Sequence, residues 1–283
     1  MKDFSGKVAV ITGAGRGIGR GIALRCASEG MRVVLAGIGP ESLTETDADL
    51  RDMGAETLVV QADVSKLEDV ERLAQKTVEA FGEVHMLVNN AGVASRPDTW
   101  DRSLADWEWI MGVNFWGVLY GVRTFIPIMM KQETDCHIIN VSSGAGLAPG
   151  ERTTIYAVSK HGVVVLSEAL YFQLAKQSPH IKVSVYCPMW VSSELDDTVA
   201  RNRPSGPPPP PLTPEAKAEW RTSLATGISI EESADVLFRG IVEDKLYIGP
   251  KGFPASADPE SLISAIRTRA ENIIDERNPE LPS

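Results

Sequence analysis

Two hydrophobic periodicities alternate along roughly the first 190 residues, and this alternation limits the possible folds more than any other feature of the chain. Lys7–Thr12 (KVAVIT) is a short apolar run suited to a buried parallel strand. A glycine cluster follows, then a helical pattern with Ile18, Ile22 and Cys26 at i, i+4 and i+8 and Gly30 as its C-terminal cap. Met31–Ala36 reads as the next strand and Pro40–Met53 as a helix ending at Gly54. Glu56–Val64 is a strand, and Ser65-Lys66-Leu67-Glu68 has the form of a capping box for a helix running to Phe81-Gly82. Val84–Asn89, His137–Val141 and Lys182–Cys187 are further strands, the last stopped by Pro188. Between them lie one long helix from Ser103-Leu104-Ala105-Asp106 toward Lys131 and another from Thr153 to Lys176. Strict alternation predicts an α/β fold, a doubly wound parallel sheet of about seven strands with helices on both faces. No repeat and no linker divides this stretch, so residues 1–283 are expected to form a single domain.

Residues 190–228 break the rhythm. They contain Pro204 and the run Pro207–Pro211, which forms neither helix nor central strand. Three readings stay open: a disordered surface loop, a lid over a substrate pocket, and a proline motif for a partner. Thr213-Pro214-Glu215 then starts a short helix, Ile230–Glu243 is a helix, Leu246–Ile248 a last strand and Ser261–Glu276 a terminal helix. Pro279–Ser283 are expected to fray.

Hydrophobic residues make up 43% of the 283, and charged residues 23%, so the chain can bury a large core without staples. Lys+Arg 28 against Asp+Glu 38 leaves a net charge of −10, which argues against nucleic acid or an anionic membrane as partner. Three scattered cysteines, Cys26, Cys136 and Cys187, fit reduced thiols in a cytoplasmic protein better than a disulfide framework. Neither they nor His85, His137, His161 and His180 show zinc-type spacing, so no metal is expected. The N-terminus lacks the apolar segment of a secretory leader, and no apolar run reaches the roughly 18 residues of a membrane span.

Thr12-Gly13-Ala14-Gly15-Arg16-Gly17-Ile18-Gly19 joins the first strand to the first helix. Glycines there let the chain turn tightly and let a pyrophosphate approach the backbone, while the helix N-terminus favours negative charge. Dinucleotide binding follows from that position, although the spacing Gly13-x3-Gly17-x-Gly19 is not the commonest fingerprint. Tyr156 and Lys160 lie four apart in a helical pattern and so share one face. An ammonium beside a phenol is expected to lower its pKa toward the working range, which suits a general acid/base for alcohol–ketone interconversion. A hydrolase is disfavoured, because Val141 stands where a GxSxG elbow around the following serines needs glycine.

With Asp63-Val64, Asn89-Asn90-Ala91-Gly92, Asn114, Val141-Ser142-Ser143 and Pro188…Val191-x-Ser193, these motifs run from Thr12 to Ser193 in one order. The chain resembles the short-chain dehydrogenase/reductase family in its single-domain subtype, which implies a Rossmann-type fold and an NAD(P)-dependent carbonyl reductase or alcohol dehydrogenase. The resemblance implies a catalytic set of Asn114, Ser143, Tyr156 and Lys160. Tyr156 would protonate the carbonyl oxygen, Lys160 bond the nicotinamide ribose and tune Tyr156, Ser143 polarise the carbonyl, and Asn114 hold a relay water. It implies cofactor contacts from Gly13, Gly15, Arg16, Gly17, Ile18, Gly19, Gly37, Asp63, Val64, Asn90, Ala91, Gly92, Pro188, Val191 and Ser193, besides Tyr156 and Lys160. Gly37 stands where many NAD-preferring members have Asp, and Arg16 occupies a position that is basic in many NADP-preferring members, so NADP is favoured over NAD.

Met189 replaces the glycine usual after Pro188, and Ser193 the usual threonine. By their location after strand ends, Ser95, Ala145, Leu147, Thr153, Met189 and Trp190 are candidate substrate walls. They are mostly apolar, and Arg96 and Arg152 are read as surface residues, so a neutral, moderately bulky, apolar ketone or secondary alcohol is expected. Trp100, Trp107, Trp109, Trp116 and Trp220 are read as core or interface. The resemblance further implies a homodimer or homotetramer paired through the helices near Ser103–Lys131 and Thr153–Lys176. A non-catalytic dinucleotide sensor and a nucleotide-sugar epimerase are the alternatives. The complete Ser143–Tyr156–Lys160 set counts against the first, and the lack of a second substrate domain against the second.

Overall fold

All five residues of β1 (Val8–Thr12) are buried, and they divide by parity between two separate apolar layers. Ala9 and Ile11 join one layer, Val8 and Val10 the other. The same division holds in β2 (Arg32–Gly37), with Val33 and Leu35 on one side and Val34 and Ala36 on the other. A strand whose side chains alternate between two dry faces must lie inside a sheet covered on both sides, which is why its sequence reads as continuous apolar residues. Each valine, leucine or isoleucine so removed from water contributes about 1.5–3 kcal/mol.

The computed structural model describes residues 1–94, 102–148, 154–192, 222, 226–253 and 258–275. In these, β3 (Thr57–Gln61), β4 (Met86–Asn89), β5 (Cys136–Val141), β6 (Ile181–Tyr186) and β7 (Tyr247–Ile248) complete a sheet in the order β3-β2-β1-β4-β5-β6-β7. Every pairing is parallel, and Val10 of β1 lies between Val34 and Leu87. The helices α1 (Gly17–Ser28) and α7 (Ile230–Val242) pack on one face. On the other lie α3 (Leu67–Phe81), α5 (Gly117–Gln132) and α6 (Thr154–Gln177). Helix α2 (Pro40–Asp52) follows β2, α4 (Leu104–Met111) precedes α5, and α8 (Pro259–Ile274) follows β7. Successive strands run outward from β1 to β3 and then in the other direction from β4 to β7. The crevice at the carboxyl ends of β1 and β4 is therefore the switch point where such sheets bind ligands.

Gly30 and Gly54 follow α1 and α2 with positive φ, as expected of terminating glycines, and Gly82 caps α3 in the left-handed region. Two expectations need correction. Ser65 does not open α3 with a capping box: the helix begins at Leu67, and no side chain caps it. The Asp63 carboxylate captures Ser65 instead, accepting from its hydroxyl at 2.7 Å and its amide at 3.1 Å. The long helix toward Lys131 starts as expected, with Ser103 capping the Asp106 amide, but it is interrupted by a π-helical turn over Gly112–Trp116. A complete capping box occurs elsewhere, between Ser229 and Glu232 at the start of α7.

Candidate active site

The glycine turn after β1 is fastened to the loop after β4. Thr12 Oγ1 accepts from the amides of Asn90 (2.9 Å) and Ala91 (3.1 Å), and Asn90 Nδ2 donates to Thr12 O at 2.8 Å. Gly13 sits at φ +66°, and a Cβ there would lie 2.9 Å from the Ala91 Cα, so only glycine fits. Arg16 is the N-cap of α1 and makes no side-chain cap bond to it, and no acidic side chain stands in the first turn, an arrangement that favours an anion at this helix N-terminus. A cleft of about 760 Å³ opens there, a size typical of cofactor sites.

Opposite the turn, Tyr156 and Lys160 project from α6 into the same cleft. Two bonds latch this helix to the end of β5. Lys160 Nζ donates to Val141 O at 2.9 Å, and Ser142 Oγ donates to Lys160 O at 2.8 Å. Ser143 hydrogen-bonds the Tyr156 phenol, and its hydroxyl also accepts from the Ala145 amide at 3.2 Å. Asn114 lies fully buried within the π turn. Its Oδ1 accepts from the Val93 amide (2.8 Å), and its Nδ2 donates to Val93 O (3.0 Å) and Ser159 Oγ (3.1 Å). Ser159 Oγ in turn donates to Tyr156 O at 2.7 Å, so Asn114 is wired to α6 through one hydroxyl.

The electrostatics reverse one expectation. Burial pushes the Tyr156 phenol above its ordinary value, with the Ser143 bond opposing, rather than Lys160 drawing it down. The Lys160 ammonium sits over the phenol ring, 5.7 Å from its centroid, and is bonded to Val141 O. Burial pushes Lys160 itself down to about 8. Depth sets the direction for both groups.

Native Lys160 thus sheds its proton near pH 8, while the unfolded chain keeps it to about 10.5. In that window the unfolded state binds more protons, so this group makes stability rise with pH, and the penalty of a buried ammonium applies in full only below it. Relative to Lys160→Met, wild type is expected to gain about 2 kcal/mol between pH 7.5 and 9.5. Paired thermal melts at the two pH values check this. A constant difference in Tm would show that the ammonium is not destabilised.

Of the residues expected to meet a cofactor, all those from Gly13 to Gly92, with Tyr156, Lys160 and Pro188, border the cleft. Val191 does not: it is buried in the core and bridges to Ile228. Ser193, Ser95 and Thr153 lie outside the described residues, as do Arg96, Trp100, Arg152, the Pro207–Pro211 run, the Thr213 helix start and Trp220. Ala145, Leu147, Met189 and Trp190 do not border the cleft either; Met189 packs on the core and Leu147 beside Val164 and Cys187. Sequence reasoning missed Glu41, Ser42, Lys66 and Trp109, which do border it. Glu41 lies four residues beyond Gly37 at the start of α2, a place that the end of the second strand would have indicated. Trp109 both packs beside Val93 and Ile155 and faces the cleft. Among the described residues, no group of three His, Cys, Asp or Glu side chains is arranged to hold a metal, and no helix is long and apolar enough to cross a membrane.

Comparison with known proteins gives this geometry a lineage. The short chain dehydrogenase family model matches residues 7–204. The chain is 35% identical over 255 residues to a CLA biosynthesis dehydrogenase/reductase of Lactiplantibacillus plantarum, covering 88% of this chain and 89% of that one. It is 33% identical over 193 residues to a diacetyl reductase, (S)-acetoin forming, of Staphylococcus epidermidis, covering 68% and 74%. A short-chain dehydrogenase/reductase from Burkholderia phymatum, crystallised in complex with NAD, superposes with a TM-score of 0.92 at 39% identity, covering 100% and 99%. With a parallel seven-stranded sheet of Rossmann type and a family match over most of its length, this chain belongs to the short-chain dehydrogenase/reductase family.

Proposed function

We propose that the protein is an NAD(P)-dependent oxidoreductase interconverting a ketone and a secondary alcohol. The observation that carries this reading is that Tyr156 and Lys160 border the same cleft as the glycine turn. The residues there fit a nicotinamide dinucleotide: uncapped amides for a pyrophosphate, a turn with no room for a Cβ, and a cleft of suitable size. Once bound, that group supplies the hydride. Gly13, Gly15, Gly17 and Gly19 would receive the pyrophosphate, Asp63 and Val64 the adenine end, and Asn90, Ala91, Gly92, Pro188 and Ser193 the nicotinamide half. Tyr156, kept protonated by burial, donates its proton to the carbonyl oxygen, and Ser143 holds that oxygen beside the phenol. Lys160 bonds the ribose, and Asn114 fixes the helix from which both project.

A neutral, moderately bulky, apolar ketone is the proposed substrate, and residues 190–228 would close over it. The insertion's two ends are tied together: the Ser192 amide donates to Ile228 O at 2.8 Å, and the Ile228 amide to Trp190 O at 3.1 Å. Exposed Val158, Val165, Tyr171 and Phe172 on α6 suit a self-association face of a homodimer or homotetramer. Three buried free thiols agree with a cytoplasmic setting. Turnover of a ketone panel that includes diacetyl, followed by nicotinamide absorbance with NADH and NADPH in parallel, tests the reading. Failure with every ketone and both cofactors would sink it.

Cofactor preference is assigned to Arg16, Gly37 and Glu41, which all border the cleft. Arg16 and the missing carboxylate at Gly37 favour NADP; Glu41 is the group that opposes a 2′-phosphate. A Cβ on Gly37 would lie 3.5 Å from Leu43 Cδ2, an ordinary contact, so Gly37→Asp fits without strain. Gly37→Asp is expected to raise the KM for NADPH about tenfold relative to NADH. Unchanged KM values for both would remove Gly37 from the selectivity argument.

A further inference from the structure

Helix α8 lies beyond residues 7–204, the part of the chain the family model matches, yet it rests on the turn that bears Ser143. That turn is a single 3-10 helix over Gly144–Gly146. From below, Pro188 O accepts the Gly144 amide at 2.9 Å. From above, α8 grips it twice. A Cβ on Gly144 would lie 2.8 Å from Leu262 Cδ2, so the leucine methyl is seated directly against the residue after Ser143. About two turns further along, Arg269 Nη1 donates to Leu147 O at 3.2 Å, just past the C-terminal end of the 3-10 turn. Pro259 anchors the start of the helix in the protein, and the helix packs on the Pro250–Gly252 turn after β7.

We propose that Leu262 and Arg269 are positioning residues that hold the Ser143–Leu147 turn in register with Tyr156, so that the C-terminal helix governs ketone placement while leaving the dinucleotide end of the cleft alone. This rests on the reading of Ser143 as the group that holds the substrate oxygen. The physical basis is the short reach of a hydroxyl. Ser143 bonds Tyr156 directly, and the turn that aims it is a 3-10 helix of three residues, whose hydrogen-bond geometry is poorer than that of an α-helix. Displacing a reacting group by about 1 Å costs up to about 100-fold in rate, so a loosened turn is expected to lower kcat before it lowers dinucleotide affinity.

The test uses the full chain with diacetyl and acetophenone as probes, NADH affinity by fluorescence titration, and amide hydrogen exchange. Leu262→Ala and Arg269→Met are expected to lose about tenfold in kcat on the reduced probe, with the NADH Kd within about twofold of wild type. Arg269→Lys, which keeps one donor, is expected to restore kcat. In Arg269→Met the amides of Gly146, Leu147 and Ala148, which bond Ser143 O and Gly144 O, are expected to exchange faster while those of β1 and β4 do not change. Unchanged kcat in both variants, or loss of kcat and NADH affinity together, would overturn the proposal, as would unchanged exchange of the turn. If wild type reduced neither probe but the turn still exchanged faster in Arg269→Met, the clamp would stand and these two ketones would fall as substrates.

Discussion

Tyr156→Phe is expected to lower ketone reduction by about 10²–10⁴-fold while leaving NADH affinity within a few-fold of wild type. The variant removes one oxygen from a ring whose walls are unchanged, so any loss reports the phenol's proton and not the packing. The direction of its pKa matters. Burial raises it, so the phenol keeps its proton at neutral pH, the state required of an acid in the reductive direction. Ser143, bonded to the same phenol, opposes that rise and keeps the proton transferable. Measuring kcat with the cofactor saturating, beside a fluorescence titration of NADH, separates the two functions. Turnover retained in the phenylalanine variant would remove Tyr156 as the acid and leave the serine and lysine without a partner.

The fold was legible because its signals are local. Val8–Ile11 is buried on both faces, so its residues had to be apolar, and the glycine turn had to follow Thr12 because Ala91 leaves no space at Gly13. Tyr156 and Lys160 were legible for the same reason, since four residues on a helix fix a common face. What escaped depends on which partner a side chain finds in the folded chain, near or far in sequence. Ser65 looks like a cap until Asp63 takes its hydroxyl. The π turn around Asn114 has no mark in its composition; it goes with an amide spent on Val93 and Ser159. Spacing placed an ammonium near the phenol but said nothing of depth, and depth decided both pKa directions. Likewise a buried ladder from Asn89 to Asn140 to Ser167 ties β4, β5 and α6 together through single bonds of 2.9 and 3.0 Å, each between residues that look like ordinary strand ends or helix positions.

The other large effect is expected at Gly19, the third residue of α1. A Cβ there would overlap the carbonyl oxygen of Gly13 and the side-chain amide of Asn90, neither of which can withdraw. Gly13 is held at positive φ by its approach to Ala91, and Asn90 is committed to Thr12 O. The added methyl must therefore push α1 away from the turn or the turn away from β4, and both movements spread the amides that would receive a pyrophosphate. Gly19→Ala is expected to lose about 100-fold or more in NADH affinity and about 1–3 kcal/mol in stability. Gly54→Ala is the matched control. Gly54, unlike Gly19, has positive φ, at +82°, and faces open space, so its replacement carries a conformational cost of about 1 kcal/mol and no effect on dinucleotide binding. Comparing the two by thermal melt and NADH titration separates general destabilisation from damage to the turn. If Gly19→Ala bound NADH as wild type does, the cleft at the first helix would not be where the dinucleotide sits.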